Sequence, residues 1–302
     1  MNYRSIIAVT NTGDSSISII DPLRFKEMRR IRLIPDSGPY DLIKCKSSHH
    51  LLVSQYYDDS VAYIDLLSGE IIDSIAIGRR PWYMSHDWAR NLAFITNSDS
   101  DTISIVCTDE LKLIGQVRVG SMPQGIHFDP VVGDLAIANV NSNSVMVIDT
   151  YTYIVKKSIK LEQNPFQVVY SADGNRLYVS SSSFQNNDIG SILTIATHDY
   201  RILSEIKLNA MPGQLYITKD GKYILVASLG KGGLEIVDIN NGKTLQRVST
   251  NGMTHGMAMD NQEKYVYVTN PDDDSISVID WRLGKKIATI GVGKEPNGIA
   301  LI

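Results

Sequence analysis

Short apolar runs, each closed by a polar turn, follow one another along the whole chain. β-Branched residues fill them: IAVTN at 7–11, AFITN at 93–97, YVYVTN at 265–270, and a second type at SISIID (16–21), SVMVID (144–149) and SISVID (275–280). Val, Ile and Tyr in short bounded runs predict pleated strands. No segment carries a convincing helical period. Turns such as SADGN (171–175) and TKDGK (218–222) hold an Asp-Gly pair whose glycine supplies the positive φ that reverses the chain. Amphipathic strands such as RRIRLI (29–34) and KKSIKL (156–161) place charge on a solvated face.

These strands recur with a fixed period. Pro39, Pro81, Pro123, Pro165, Pro212 and Pro296, with Thr254 in the same frame, are separated by 42, 42, 42, 47, 42 and 42 residues. Each unit predicts four strands, here A to D: a small-residue strand after the Pro (PQGIHFD at 123–129), a β-branched strand ending in Asn or Ser, a strand of the SxxVID type, and an amphipathic one. A loop of the VG-x-x-P kind leads to the next unit. Seven such units predict an all-β, seven-bladed β-propeller of four-stranded antiparallel blades, with residues 1–302 forming a single domain. The chain starts at a strand B (6–11) and ends at a strand A (297–302). The C-terminal strand is therefore expected to complete the N-terminal B, C and D strands and remove two open edges.

The tetrapeptide YVTN stands at 267–270, with AVTN at 8–11, FITN at 94–97 and YVSS at 178–181 as variants. With P-x-G and SxxVID, these motifs make the chain resemble the YVTN-repeat family of β-propellers over essentially its whole length. A WD40-like repeat signature is absent: Asp280-Trp281 corresponds to Asp65-Leu66, Asp149-Thr150 and Asp238-Ile239. The resemblance implies the fold, while function varies widely among propellers.

Composition narrows the function classes. The net charge is −4, and Met28-Arg29-Arg30 and Lys285-Lys286 are the densest basic stretches, so no nucleic-acid partner is expected. There is no apolar run long enough to span a membrane. The absence of a signal peptide points to the cytoplasm, or to an extracytoplasmic place if the sequence begins after a removed signal. Cys45 and Cys107 match no metal or haem spacing and read as reduced structural thiols.

Antiparallel order puts the D–A and B–C loops on one face, the top, with strand A innermost because Gly125, Gly256 and Gly298 suit crowding near the axis. The residue after each repeat Pro then rings the channel mouth: Tyr40, Trp82, Gln124, Phe166, Gly213, His255 and Asn297. This position varies where the rest of the repeat does not. Tyr40, Trp82, Gln124, Phe166, His255 and Asn297 are accordingly the candidate ligand-binding set, aromatic walls with a few polar groups. Packed rings that only plug the channel are the other reading. The Asn residues ending strand B are expected to bond within their own B–C loop. Top-loop acids (Asp14, Asp58, Asp59, Asp99, Asp101, Asp188, Asp272 to Asp274) are expected to act as turn residues, with attraction of a cation or basic partner as the alternative. The five-residue insertion near 183–188 lengthens one B–C loop, where Phe184 is either a lid or a neutral addition.

Thr254-His255-Gly256-Met257 resembles the segment that carries the catalytic His of streptogramin lyases. Those enzymes have a Glu at the end of the next strand, where this chain has Asn270, so His255 lacks a carboxylate partner. Similarity to lactonase-type propellers implies a divalent cation held by Glu295 with Asn97 or Asn139. No cofactor is otherwise expected. The leading expectation is a non-enzymatic scaffold, expected to be a monomer, that binds a small molecule or a protein at its top face. A lactonase-like or lyase-like enzyme, and a non-catalytic subunit of a larger complex, are the alternatives.

Overall fold

The computed structural model describes residues 5–45, 49–183, 189–230 and 232–302. Within these, 28 strands form seven four-stranded antiparallel sheets. From the axis outward, blade 2 is Pro39–Lys44, His50–Gln55, Ser60–Asp65 and Ile71–Ala76, and blade 3 is Pro81–Asp87, Leu92–Asn97, Thr102–Cys107 and Lys112–Arg118. Blade 4 is Pro123–Asp129, Asp134–Asn139, Ser144–Asp149 and Val155–Lys160; blade 5 is Asn164–Tyr170, Arg176–Ser182, Gly190–Ala196 and Ile202–Leu208. Blade 6 is Pro212–Ile217, Tyr223–Ser228, Leu234–Asp238 and Lys243–Val248, and blade 7 is Met257–Met259, Tyr265–Asn270, Ser275–Asp280 and Lys285–Gly291. Blade 1 takes Pro296–Leu301 as its inner strand beside Ile7–Asn11, Ser16–Asp21 and Lys26–Arg32. The closure is the expected one: Ile7, Ala8 and Val9 pair with Leu301, Ala300 and Ile299, and Ile302 N–H reaches Ile6 O at 2.8 Å.

The apolar runs of strands B and C are continuous rather than alternating because each blade is covered on both faces. Buried side chains group between adjacent blades: Leu51, Val53 and Ile64 of blade 2 pack on Ala8, Ile17 and Ile19 of blade 1. Leu225 and Ile236 of blade 6 likewise meet Val266 and Val268 of blade 7. The outer strands are solvated; in Val155–Lys160 only Ile159 is buried. On the top face the B–C loops of blades 1, 2, 3, 4 and 6 dock on the D–A loop that leads into the same blade, as in Tyr56 N–H to Gly38 O (2.8 Å) and Ser98 N–H to Arg80 O (3.1 Å).

A local device links consecutive blades. Just past the repeat Pro the A–B ladder shifts register, a bulge seen for instance between Pro39 and Leu42 and between Pro81 and Met84. The hydroxyl on the penultimate residue of strand B fills it. Thr96 Oγ1 accepts the Tyr83 N–H (3.1 Å) of its own blade and donates to Gln124 O (2.8 Å) of the next. Thr10 does the same between Gly298 N–H (2.8 Å) and Tyr40 O (2.7 Å), and Ser54 between Asp41 N–H and Trp82 O, both at 2.9 Å. Thr269 links Gly256 N–H to Asn297 O, and in blade 5, whose strand B runs one residue further, Ser180 links Gln167 N–H to Gly213 O. Inner strands approach so closely that a Cβ on Gly298 would lie 2.5 Å from Tyr40 O. That separation is forbidden, so the P-x-G glycine is a packing requirement here. Blade 7 lacks the Pro and has the short inner strand Met257–Met259; Thr254 Oγ1 anchors it instead to Ser228 O at 2.7 Å.

Removing residues 296–302 leaves blade 1 open on its axial side, and a large fall in melting temperature or loss of solubility is expected by calorimetry. Thr96→Val keeps the shape but strips both bonds, leaving the Tyr83 N–H and Gln124 C=O unpaired in a buried place. Urea denaturation is expected to show a loss of about 1–3 kcal/mol.

Candidate functional site

The bulge after the Pro turns the next side chain toward the axis, and at Tyr40, Trp82, Gln124, Gly213 and Asn297 the hydroxyl bridges hold that residue through its carbonyl rather than its side chain. Tyr40, Phe166 and Gln124 are 8%, 9% and 8% exposed; Trp82, His255 and Asn297 are half-buried, and Gly213 is buried.

Three of the six candidate side chains come together. The Tyr40 ring packs edge-on against Trp82 (centroids 4.7 Å) and His255 (5.4 Å). Two tyrosines that the ring argument did not single out complete the cluster. Tyr56, the first residue after strand B of blade 2, lies 5.6 Å from Tyr40 and 5.3 Å from Trp82, with the Arg80 guanidinium 5.4 Å above its ring. Tyr83 stacks on His255 at 6.0 Å. The adjacent Tyr57 is 61% exposed beside it. A signal for Tyr56 and Tyr57 was present: no other strand B is followed by two aromatic residues. Tyr40 thus forms the buried floor of the mouth, while Tyr56 and Trp82 stand above it and retain exposed surface.

His255 Nε2 lies 2.9 Å from the Tyr40 hydroxyl and 3.4 Å from that of Tyr83. Burial disfavours the imidazolium and pulls the His255 pKa down to about 4, so the ring is neutral at pH 7. The same burial pushes the Tyr40 and Tyr83 hydroxyls well above the ordinary tyrosine range. Asn270, in the place of the lyase glutamate, is fully buried with its Nδ2 on Ser275 Oγ (3.1 Å) and Ser277 Oγ (3.0 Å). It gives His255 no acid–base partner.

The residues proposed for a cation stand apart. Asn97 is fully buried in blade 3, its Nδ2 on Thr102 Oγ1 (3.0 Å) and Ser104 Oγ (2.9 Å). Asn139 is buried in blade 4 with its Nδ2 toward Ser144 Oγ at 3.4 Å. Glu295 is exposed on the blade 1 loop, and Asn297 Nδ2 donates to Thr12 Oγ1 at 2.7 Å. Among the described residues no group of three or more His, Cys, Asp or Glu side chains gathers in a way that could hold a metal. The top-loop acids also have architectural partners. Asp59, Asp101 and Asp274 each accept, at 2.8–3.0 Å, the N–H of the residue before the next blade's Pro (Arg80, Met122 and Glu295). Those three residues sit at positive φ (49°, 56° and 51°), which the bond helps to hold. Phe184 and Asp188 lie outside the described residues.

Below the aromatic cluster the channel opens toward the A–B turns in a cavity of about 350 Å³. Its walls carry side chains that cap the inner, unpaired edges of the A strands. Asp41 Oδ2 accepts the Met84 N–H (2.8 Å), Ser85 Oγ the Phe128 N–H (2.9 Å), and His127 Nδ1 the Tyr170 N–H (3.4 Å). Gln214 Oε1 does this for the Met257 N–H. Each cap reaches from one blade to the next. Burial draws the His127 pKa down to about 4 and raises that of Asp41 to about 7. A larger cavity, about 660 Å³, lies at the lower end of the blade 1–2 seam among Ile6, Met28, Leu66 and Leu67, away from these groups.

No family model matches the chain. Over 97 residues, 32% of this chain, it is 30% identical to the uncharacterized protein YncE of Salmonella typhimurium, and the match spans 27% of that protein's length. A functionally unknown protein from Desulfotomaculum acetoxidans superposes with a TM-score of 0.83 at 14% identity, covering 98% of each chain. A hydrazine synthase chain of Kuenenia stuttgartiensis superposes with a TM-score of 0.80 at 20% identity, over 87% of this chain and 89% of that one. These likenesses show the seven-bladed propeller fold. Among the described residues no helix is long and apolar enough to cross a membrane.

The histidine shifts carry a sign. Both folded-state values lie below the unfolded 6.5, so the unfolded chain binds more protons between the two. The contribution of His127 and His255 is complete above about pH 6.5 and is lost as pH falls toward 4. Asp41 acts oppositely, its contribution present below about 3.8 and lost as pH rises to about 7. Nitrogen-detected NMR is expected to show both imidazoles neutral at pH 6. Urea melts of Asp41→Asn are expected to gain on the wild type as pH rises from 4 to 7.

Proposed function

We propose that this protein is a YVTN-repeat propeller acting as a non-enzymatic binding scaffold, whose top-face mouth takes a flat, uncharged or weakly cationic ligand. The observation that carries this reading is the half-buried pair Tyr56 and Trp82 packed on the buried Tyr40 ring. Two rings at 86° form a corner that receives one face and one edge of a planar group. Arg80, whose guanidinium lies 5.4 Å over the Tyr56 ring, pairs with the Asp99 carboxylate at 3.2 Å, so this side of the corner carries no net charge and suits an uncharged planar group best. The neutral His255, held by two phenol hydroxyls and without a carboxylate partner, supports binding over acid–base catalysis. The YVTN form at 267–270 and its variants support the repeat assignment.

The chain has three tryptophans, Trp82, Trp88 and Trp281, so 5-fluorotryptophan labelling reports on the mouth separately. In a fluorine NMR screen of aromatic heterocycle fragments and of candidate partner proteins, hits are expected to move the Trp82 resonance. Trp82→Ala is expected to weaken such binding by about 1–3 kcal/mol. Tyr40→Ala, which removes the buried floor, is expected to lower stability as well, by about 3 kcal/mol or more. Hits that move only Trp88 or Trp281, or that bind Trp82→Ala unchanged, would overturn the reading.

A further inference from the structure

The lower half of the channel holds a charge that the fold does not require. At the second residue after the repeat Pro the seven blades carry Asp41, Tyr83, Gly125, Gln167, Gln214, Gly256 and Gly298. Gly suffices in three blades. In blade 6 a neutral amide, Gln214, makes the same inter-blade cap that Asp41 makes in blade 2. The capping role therefore explains an oxygen at position 41, not a carboxylate.

That carboxylate sits in a poor environment for a charge. It lines the 350 Å³ cavity with Tyr83, Tyr170, Tyr216, Gln167 and His127, and among the described residues it is the one acidic side chain on those walls. No cation of the described residues contributes to its electrostatics. Lys219, the basic residue at the lower rim, sends its Nζ to Asn261 O at 3.0 Å. Asp41 is half-buried, and a carboxylate drawn that far out of water without a counter-charge is costly and is ordinarily paired or protonated; desolvation raises Asp41 to about 7. His127 cannot supply the charge, since its Nδ1 accepts the Tyr170 N–H and burial keeps it neutral.

We propose that this lower cavity is a second binding site, for a small organic amine whose ammonium group pairs with Asp41. The volume suits a small ligand. The tyrosines on its walls suit a cation and its alkyl or aryl tail. A divalent metal does not fit, because a single carboxylate with neutral amides and phenols supplies too little charge. An anion is excluded by Asp41 itself. The site opens on the face opposite the aromatic mouth, and the proposal does not rest on the reading of that mouth.

Isoamylamine and tyramine are the probes, with isoamyl alcohol and isovalerate as the uncharged and anionic counterparts. Backbone NMR titration of the wild-type protein follows the Met84 amide, which donates to Asp41. The amines are expected to shift it saturably, and the alcohol and the acid are expected not to. Asp41→Asn keeps an oxygen for the Met84 N–H, as Gln214 does for Met257, and is expected to bind the amines about tenfold more weakly or worse. A Met84 amide that does not move with either amine, or moves equally with the alcohol, overturns the proposal. So does a folded Asp41→Asn protein that binds the amines as tightly as wild type. Should that variant fail to fold, the amine-against-alcohol comparison on the wild type decides alone.

Discussion

The hydroxyl at the penultimate position of strand B is the contact on which the rest of the architecture depends. In five blades it accepts an N–H from its own inner strand and donates to the inner strand of the next blade. One buried group therefore satisfies the bulge and joins two neighbouring sheets. Ala138 and Ala227 stand at this place in blades 4 and 6. The junctions that follow are those of Phe166 and His255. At the second of them Thr254 supplies a hydroxyl bond to Ser228 O from the other side. The bridges grip a carbonyl, so the side chain of the gripped residue is under no architectural demand. Six variable side chains and Gly213 can then sit at the mouth of an otherwise regular ring.

Closing a sheet array around an axis creates a second problem. The inner edge of every A strand faces the channel with unpaired N–H groups, and the ring has no room for another strand. The protein answers with side chains from the preceding blade: Asp41, Ser85, His127 and Gln214. Polar and titratable groups in the channel thus have an architectural origin before any functional one. Their chemistry still differs. His127 accepts as a neutral ring and Gln214 as an amide, whereas Asp41 brings a charge with no counterpart. The same economy applies on the top face, where Asp59, Asp101 and Asp274 hold strained residues ahead of the repeat Pro.

The period of 42, the strand order, the closure by residues 297–302 and the top-face position of the D–A and B–C loops were all legible in the chain. Each follows from local rules that repeat seven times: a Pro that starts a strand, an Asp-Gly turn, a β-branched run. The role of the strand-end Asn residues followed for the same reason, since Asn and its serine partners lie within one hairpin. The ring at the channel mouth was legible as a set of positions, because it is defined by frame alone. Its composition as a site was not. The angle at which Tyr40, Trp82 and His255 meet, the entry of Tyr56 from a B–C loop and the burial of Tyr40 depend on how far each bulge turns its side chain. The alternative that joined Glu295 with Asn97 or Asn139 rested on the lactonase-type resemblance and a shared top-face level; both amides are engaged within their own hairpins. Asp41 escaped notice because a lone acid in a small-residue strand has no local signature. Sequence alone decided the repeat and its closure, since these are near-neighbour properties. Which side chains from separate blades share a channel, and which of them lie beyond the reach of water, was decided only when seven sheets met at one axis.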